Sequence, residues 1–208
     1  MEESYLSIVI CVYNEEPNIK PLVTQIHQAL QGNRYEIIYV DDGSTDGTVQ
    51  TIRSLGDEKV WLLELKKNYG QSAALAAGID YAHGDFIVTM DGDLQNDPRD
   101  ILPMLNTLKS ENFDMVAGIR KHRQDGYLLR KIPSRIANYI IRLTTGVKMK
   151  DYGCTLKVFR KEAARDLSLY GELHRFIPVL ASLEGARIGQ MDVHHHSRKY
   201  GRSKYGIN

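Results

Sequence analysis

The chain has 208 residues, a length that suits one globular domain with a sizeable core. Its formal net charge of +1 and its 42% hydrophobic content are ordinary for a globular protein, so these totals identify no binding partner. Two cysteines without regular spacing argue against a disulfide framework. The N-terminus lacks signal-peptide features, and no apolar run approaches the roughly 18 residues of a membrane-crossing helix.

Short apolar runs alternate with helix-length segments through the first half of the chain. This alternation is typical of stacked βαβ units and predicts an α/β domain with a mostly parallel central sheet flanked by helices. The predicted strands cover residues 6–12, 36–41, 60–65, 86–90 and 115–119. The predicted helices cover residues 17–30, 46–55, 71–82 and 98–110.

Polar clusters follow the first four predicted strands directly. They are the segments 13–16, 41–44, 67–70 and 91–93. In open sheets of this kind, ligands bind beyond the carboxyl ends of the strands. The sequence therefore predicts that the four clusters converge on one rim of the sheet.

The second half begins with a basic stretch, residues 120–150, which holds nine Lys and Arg residues against the single acid Asp125. This asymmetry indicates an anionic partner. Apolar residues recur at helical spacing over 132–145, and that face either packs in the core or lies among lipid headgroups. Beyond it we expect helices at 161–169 and 172–184, a strand at 187–193 and a mobile basic loop at 194–208.

Two carboxylates follow the fourth strand in the motif Asp91-Gly92-Asp93-Leu94-Gln95. Oxygen ligands at a strand end suit Mg²⁺ or Mn²⁺, and such a cation would neutralise a departing diphosphate. An isolated motif of this kind also fits a solvated acidic turn, so its context decides between the two interpretations.

The motif Asp41-Asp42-Gly43-Ser44-Thr45-Asp46 follows the second strand. A carboxylate in this place, Asp42, can accept hydrogen bonds from a ribose or a base. Ser44 or Asp46 is expected to cap the next helix.

The order of four motifs, Tyr13-Asn14-Glu15, DDGSTDGT, Lys67 to Gln71 and DGDLQ, resembles that of family 2 glycosyltransferases with the GT-A fold. Segments 120–125, 151–154, 174–178 and 202–205 resemble the branch with the bacterial polyprenyl-phosphate and dolichyl-phosphate glycosyltransferases. The likeness covers essentially the whole chain. One departure is Cys11, where many relatives carry Pro.

The resemblance implies a role for individual residues of this chain. A divalent cation, Mg²⁺ or Mn²⁺, would be held by Asp91, Asp93 and Gln95. The donor nucleotide-sugar would be bound by Tyr13, Glu15, Val40, Asp42 and Gly92, with Arg198 and Lys204 on its diphosphate. The acceptor phosphate would be received by Arg120, Arg130 and Ser134. Asp91 or Asp93 could also assist in catalysis.

The implied function is inverting transfer of a hexosyl group from a UDP- or GDP-sugar to a polyprenyl phosphate. A lipid phosphate is already an anionic nucleophile, so positioning and charge neutralisation carry the reaction more than a protein base. We expect one catalytic domain, with the nucleotide-binding part at 1–119 and the acceptor- and membrane-facing part at 120–208. It would work on the cytoplasmic membrane surface, with a membrane subunit or further C-terminal transmembrane helices as possible partners and without nucleic acid.

Two other functions fit the same motifs, namely extension of a polysaccharide or protein-linked glycan and a non-catalytic nucleotide-sugar-binding subunit. A dinucleotide-dependent oxidoreductase is disfavoured because no GxGxxG follows the first strand. Zinc at His194 to His196 is disfavoured because consecutive strand residues point to opposite faces. We expect Asp151 near the sugar, Cys154 in packing, and His174-Arg175 on the acceptor side or bracing a helix.

Overall fold

The computed structural model describes residues 4–120, 149–167, 169, 171 and 173–200. Within these residues, seven strands form one sheet. They are β1 (Tyr5–Val12), β2 (Arg34–Asp41), β3 (Val60–Glu64), β4 (Phe86–Asp91), β5 (Met115–Arg120), β6 (Lys157–Arg160) and β7 (Ile188–Val193). Their order across the sheet is β3-β2-β1-β4-β6-β5-β7.

The sheet is mostly parallel, as the sequence predicts. β1 pairs in parallel with β2 and β4, β3 extends the sheet beyond β2, and β5 pairs in parallel with β7. β6 is the exception, since it runs antiparallel between β4 and β5. The sequence did not predict β6, because this strand has four residues, too few for an alternating pattern, and begins with a lysine.

Six α-helices are described, at Glu16–Ala29 (α1), Thr48–Arg53 (α2), Gln71–Tyr81 (α3), Ile101–Ser110 (α4), Lys161–Arg165 (α5) and Ile177–Leu183 (α6). Short 3₁₀ turns at Pro98–Asp100 and Leu173–Phe176 precede α4 and α6. The helix predicted over 161–169 therefore ends at Arg165, and the one predicted over 172–184 begins as a 3₁₀ turn. The predicted helix at 132–145 lies outside the described residues.

Two apolar layers cover the faces of the sheet. One contains the inward residues of α1 and α4, and the other contains those of α3 and α6. α3 lies especially close to the sheet at Gly78, where a Cβ atom would stand 2.4 Å from Cγ1 of Val9. The N-terminus of α3 lies beside the end of β4, where Gln71 contacts Asp91. Across the described residues, every helix is too short or too polar to span a bilayer.

Candidate active site

The loops after β1 and β2 are joined by Asn14. Its backbone is left-handed, with φ of 53°, a conformation that Asn adopts more readily than most residues. Its side-chain oxygen accepts hydrogen bonds from the backbone N–H groups of Thr45 at 2.7 Å and Asp46 at 3.2 Å. Its own N–H donates to the hydroxyl of Ser44 at 2.8 Å. The first two predicted polar clusters therefore form one rigid corner of the rim.

The structure distinguishes the two candidate caps of α2. Asp46 Oδ1 accepts the backbone N–H of Thr48, the first residue of α2, at 3.0 Å. Ser44 makes no such contact with the helix, because its hydroxyl is bound to Asn14. Of the two predicted caps, Asp46 is thus the residue that contacts the start of the helix.

Asp42 holds the third cluster against the second. Its carboxylate accepts the backbone N–H groups of Tyr69 at 2.7 Å and Gly70 at 2.9 Å. Burial raises the pKa of Asp42 in spite of these two bonds. Gly43 permits the approach, since a Cβ atom there would stand 2.6 Å from the carbonyl carbon of Lys67. Asp42 is fully buried in this conformation, so a contact with a nucleoside requires the segment at 67–70 to open.

Asp91, at the end of β4, is oriented by two side chains that come from other parts of the chain. Gln71, the first residue of α3, donates to Oδ1 at 3.1 Å, and the hydroxyl of Thr155 donates to Oδ2 at 2.6 Å. The backbone N–H of Asp91 donates to Asn96 at 3.1 Å. Neither Gln71 nor Thr155 nor Asn96 is among the predicted site residues.

Asp93 carries charge that the protein only partly compensates. Its Oδ1 accepts the backbone N–H of Gln95 at 3.1 Å, and its Oδ2 accepts Nη2 of Arg198 at 2.5 Å. Burial, with the nearby charge of Asp91 as the second cause, raises the pKa of Asp93 to about 6. A second nitrogen of Arg198 lies 3.3 Å from Oε1 of Glu15. A positively charged group is therefore favoured beside Asp93, and in this structure that group is the guanidinium of Arg198.

These observations test whether the predicted ligands suit a divalent cation. The described part of the chain gathers no group of three or more His, Cys, Asp or Glu side chains able to hold a metal. Asp91, Asp93 and Gln95 supply two carboxylates and one amide, which suit Mg²⁺ or Mn²⁺ when phosphate oxygens and water complete the coordination. Gln95 donates its amide N–H to the carbonyl of His196, leaving its amide oxygen as the available ligand atom. The donor set fits such a cation.

Arg198 is carried by residues 194–198, which we call the strap. His194 donates its backbone N–H to Asp100 at 2.7 Å, and its Nδ1 lies 2.8 Å from the same carboxylate. The backbone N–H of His196 donates to the carbonyl of Gln95, and its Nε2 lies 3.0 Å from Asp97. The prediction of a mobile loop is thus wrong for the strap, because hydrogen bonds hold it along the turn that follows β4.

Arg120, the last residue of β5, and Asp151 form an ion pair. The Nε and Nη2 atoms of Arg120 donate to the two oxygens of Asp151 at 2.7 and 2.9 Å. Burial alone would raise the pKa of Asp151, but the bonds from Arg120 outweigh it and lower the pKa. One edge of the Arg120 guanidinium, Nε and Nη2, is therefore bound to Asp151. Arg130 and Ser134, the other predicted acceptor residues, lie outside the described residues, as does Lys204 of the predicted diphosphate site.

Of the remaining predicted donor residues that the structure describes, Tyr13 and Gly92 lie at the rim and Val40 does not. Tyr13 is half-buried directly after β1. Gly92 is closely packed, since a Cβ atom there would stand 2.6 Å from Val12. The side chain of Val40 is fully buried in the layer that contains α3, so it contacts protein rather than the rim surface.

His174 and Cys154 have structural contacts. His174 braces α3, because its backbone N–H donates to the hydroxyl of Ser72 at 3.0 Å. Cys154 is fully buried, as predicted, and packs beside Gly118.

The chain belongs to glycosyl transferase family 2, since the sequence model of that family matches residues 7–168. A curated relative is dodecaprenyl-phosphate galacturonate synthase of Rhizobium johnstonii, 50% identical over 98% of this chain and 62% of the relative. Another is undecaprenyl-phosphate 4-deoxy-4-formamido-L-arabinose transferase of Shewanella sediminis, 40% identical over 98% of this chain and 62% of the relative. The chain thus spans about three fifths of the length of these curated relatives.

Solved structures confirm the GT-A fold. Glucosyl-3-phosphoglycerate synthase of Mycobacterium tuberculosis, in complex with Mn²⁺ and uridine-diphosphate-glucose, superimposes with a TM-score of 0.75 at 18% identity and covers 95% of this chain and 72% of that chain. A mannosyltransferase of Pyrobaculum calidifontis, in complex with GDP-Man and Mn²⁺, gives a TM-score of 0.70 at 20% identity over 92% of this chain and 56% of that chain.

Proposed function

We propose that this chain is the catalytic domain of an inverting glycosyltransferase that moves a sugar from a nucleoside-diphosphate donor to a polyprenyl phosphate. The observation that carries the proposal is the meeting of Asp91, Asp93, Glu15 and Arg198 at one rim. The carboxylates of Asp93 and Glu15 both contact the guanidinium of Arg198, and burial beside Asp91 still raises the pKa of Asp93. Such a site is suited to a cation and the diphosphate that it bridges. The names of the two polyprenyl-phosphate relatives support the choice of acceptor.

Most of the donor side belongs to residues 1–119 in this proposal, and Thr155 and Arg198 come to it from the second half of the chain. Asp91, Asp93 and Gln95 would hold Mg²⁺ or Mn²⁺, which supplies charge neutralisation for the leaving diphosphate. Gln71 and Thr155 keep the carboxylate of Asp91 in place. Arg198 would turn from Asp93 to the diphosphate once a cation compensates that carboxylate. Tyr13, Glu15 and Asp42 would bind the nucleoside.

The acceptor side belongs to residues 120–208. The ion pair with Asp151 holds Arg120 at a fixed angle, and Nη1 of Arg120 would bind the lipid phosphate together with Arg130 and Ser134. A phosphate oxygen is already charged, so the protein needs to place it in line with the bond to the leaving diphosphate. In-line displacement inverts the anomeric centre. We place this reaction at the cytoplasmic surface of a membrane, with the protein bound peripherally.

A donor and acceptor screen tests the proposal. UDP- and GDP-sugars, including galacturonate and 4-deoxy-4-formamido-L-arabinose donors, are incubated with a short prenyl phosphate and Mn²⁺ or Mg²⁺, and product is detected by mass. We expect glycosyl prenyl phosphate that disappears with chelator and returns with metal. Asp93→Asn should abolish turnover, whereas Asp80→Asn, which removes an exposed carboxylate of α3, should leave it unchanged.

The same screen separates the alternatives. Transfer to a free oligosaccharide in preference to prenyl phosphate would identify a glycan-extending enzyme. Calorimetric binding of a donor without any product, in the presence of metal and lipid phosphate, would identify a non-catalytic subunit. Full activity of the Asp93→Asn protein would show that the metal assignment is wrong.

A further inference from the structure

Lys157 is a buried lysine directly beneath the rim. It is the first residue of β6, lies between Thr89 of β4 and Ala117 of β5, and is 2% exposed. Its ammonium group donates to the backbone carbonyl of Cys154. Among the described residues, no carboxylate forms an ion pair with it. The amino group of Lys157 therefore lies in the core with a backbone carbonyl as its hydrogen-bond partner.

The burial of this charge works against folding. Burial lowers the pKa of Lys157, and the nearby charges of Cys154, Asp91 and Asp151 act in the opposite direction. An apolar side chain of similar length would fill the same place without this cost. The stability of the fold therefore gives no reason for a lysine at this position, and a contribution to the site gives one.

Lys157 is connected to the rim through the turn at 151–156. By binding the carbonyl of Cys154, it fixes the turn at 151–156. The hydroxyl of Thr155, in that turn, donates to Asp91 at 2.6 Å. Asp151, at the start of the same turn, binds Arg120. One buried ammonium group thus supports a side chain on the donor side and a side chain on the acceptor side.

The space around the amino group of Lys157 is tightly filled by polar and apolar side chains. A cavity of about 10 Å³ lies there, and it is lined by Gln71, Leu75, Thr89, Met90, Thr155, Lys157, His174 and Ile177. Gln71 also donates to Asp91, and Thr89 donates to the carbonyl of Thr155 at 2.7 Å. The polar groups beneath Asp91 are therefore connected through the turn that Lys157 holds.

We propose that Lys157 is a positioning residue of the transferase site, which orients Asp91 through Thr155 and Arg120 through Asp151 by holding the turn at 151–156. The inference deepens the proposed function and rests on it for the reaction concerned. Its structural part, the orientation of Asp91, is measurable without turnover.

Three variants test the inference. Lys157→Met keeps the length and removes the charge, and Lys157→Arg keeps the charge and the hydrogen-bond donors. Lys161→Met is the matched control, since Lys161 also donates to a backbone carbonyl, that of His83, but lies beyond the opposite end of β6 from Lys157. Each protein is assayed for Mn²⁺ affinity by electron paramagnetic resonance, for thermal unfolding, and for kcat and KM with the donor and acceptor found in the screen.

We expect Lys157→Met to bind Mn²⁺ about tenfold more weakly and to lose at least tenfold in kcat, with a melting temperature equal to or above that of the wild type. Lys157→Arg should recover most of both losses, and Lys161→Met should show neither. Equal Mn²⁺ affinity and kcat in Lys157→Met and the wild type would overturn the proposal, as would equal losses in Lys161→Met.

A further variant, Thr155→Val, tests the same connection between Lys157 and Asp91. It removes the hydroxyl that reaches Asp91 and keeps the side-chain shape, so it should weaken Mn²⁺ binding by a similar factor. Combined with Lys157→Met, it should add little further loss, because both changes interrupt one connection. If Lys157→Met fails to fold, Thr155→Val decides, and unchanged Mn²⁺ affinity there refutes the inference. A wild-type protein that binds Mn²⁺ but transfers no sugar would refute the proposed function alone.

Discussion

Replacing Asp93 by Asn should make the metal-free protein more stable at neutral pH. The folded protein raises the pKa of Asp93 to about 6, whereas the unfolded chain keeps it near 3.9. Above pH 6 the ionised carboxylate therefore costs up to about 3 kcal/mol of folding free energy. Asn also removes the partner of Arg198, so we expect a net gain of about 1–3 kcal/mol. For a domain of this size the melting temperature would rise by about 2–10 °C.

The pH dependence of this gain has a definite sign. The unfolded state releases the proton of Asp93 at lower pH than the folded state does, so the contribution of this group to stability falls as pH rises from about 4 to about 6. It stays constant at higher pH. The advantage of the variant should therefore be near zero at pH 4, grow through this window and level off.

Denaturant unfolding in the presence of chelator, repeated across this pH range, measures the effect. Excess Mn²⁺ is then added at neutral pH, where ligand at a hundredfold Kd stabilises a folded protein by about 2.7 kcal/mol. The wild type should gain this stability and Asp93→Asn should not. Asp80→Asn serves as the control with no pH-dependent gain. The reasoning fails if the metal-free Asn variant is no more stable than the wild type at pH 7, or if Mn²⁺ stabilises both equally.

Three further predictions concern other contacts. Asp151→Asn should lower the free energy of unfolding by about 2–4 kcal/mol, because it leaves the largely buried Arg120 without a carboxylate. Urea titrations measure this change, and a loss below about 0.5 kcal/mol would contradict the importance of the pair. Gly78→Ala should cost about 1–3 kcal/mol, since its Cβ atom would clash with β1, and an unchanged melting temperature would disprove that close packing. Asp97→Asn should destabilise the protein at pH 7 but not under strongly acidic conditions. Burial alone would raise the pKa of Asp97, but bonds from Arg99 and His196 hold it below its usual range, so the stabilisation is lost as pH falls below about 4.

The convergence of the polar strand ends on one rim was predictable because its main signals are local. The apolar runs that become β1, β2 and β4 are each followed by polar residues, and parallel strands bring these ends to one edge. The acids of the DGDLQ motif and the corner at Asn14 therefore meet as the sequence indicates. The family resemblance adds the chemistry, because it depends on the order of the same motifs.

The contacts that orient these groups depend on the tertiary structure. Thr155 reaches Asp91 across 64 residues and Arg198 reaches Asp93 across 105 residues. β6, which carries Lys157, has four residues and is stabilised as a strand by pairing with β4 and β5 on its two sides. The periodicity of apolar residues and the turn motifs in a sequence indicate only how residues a few positions apart are arranged. Lys157, the strap and β6 therefore take up their positions only when distant segments pack together. The free energy that stabilises them comes from contacts with those segments.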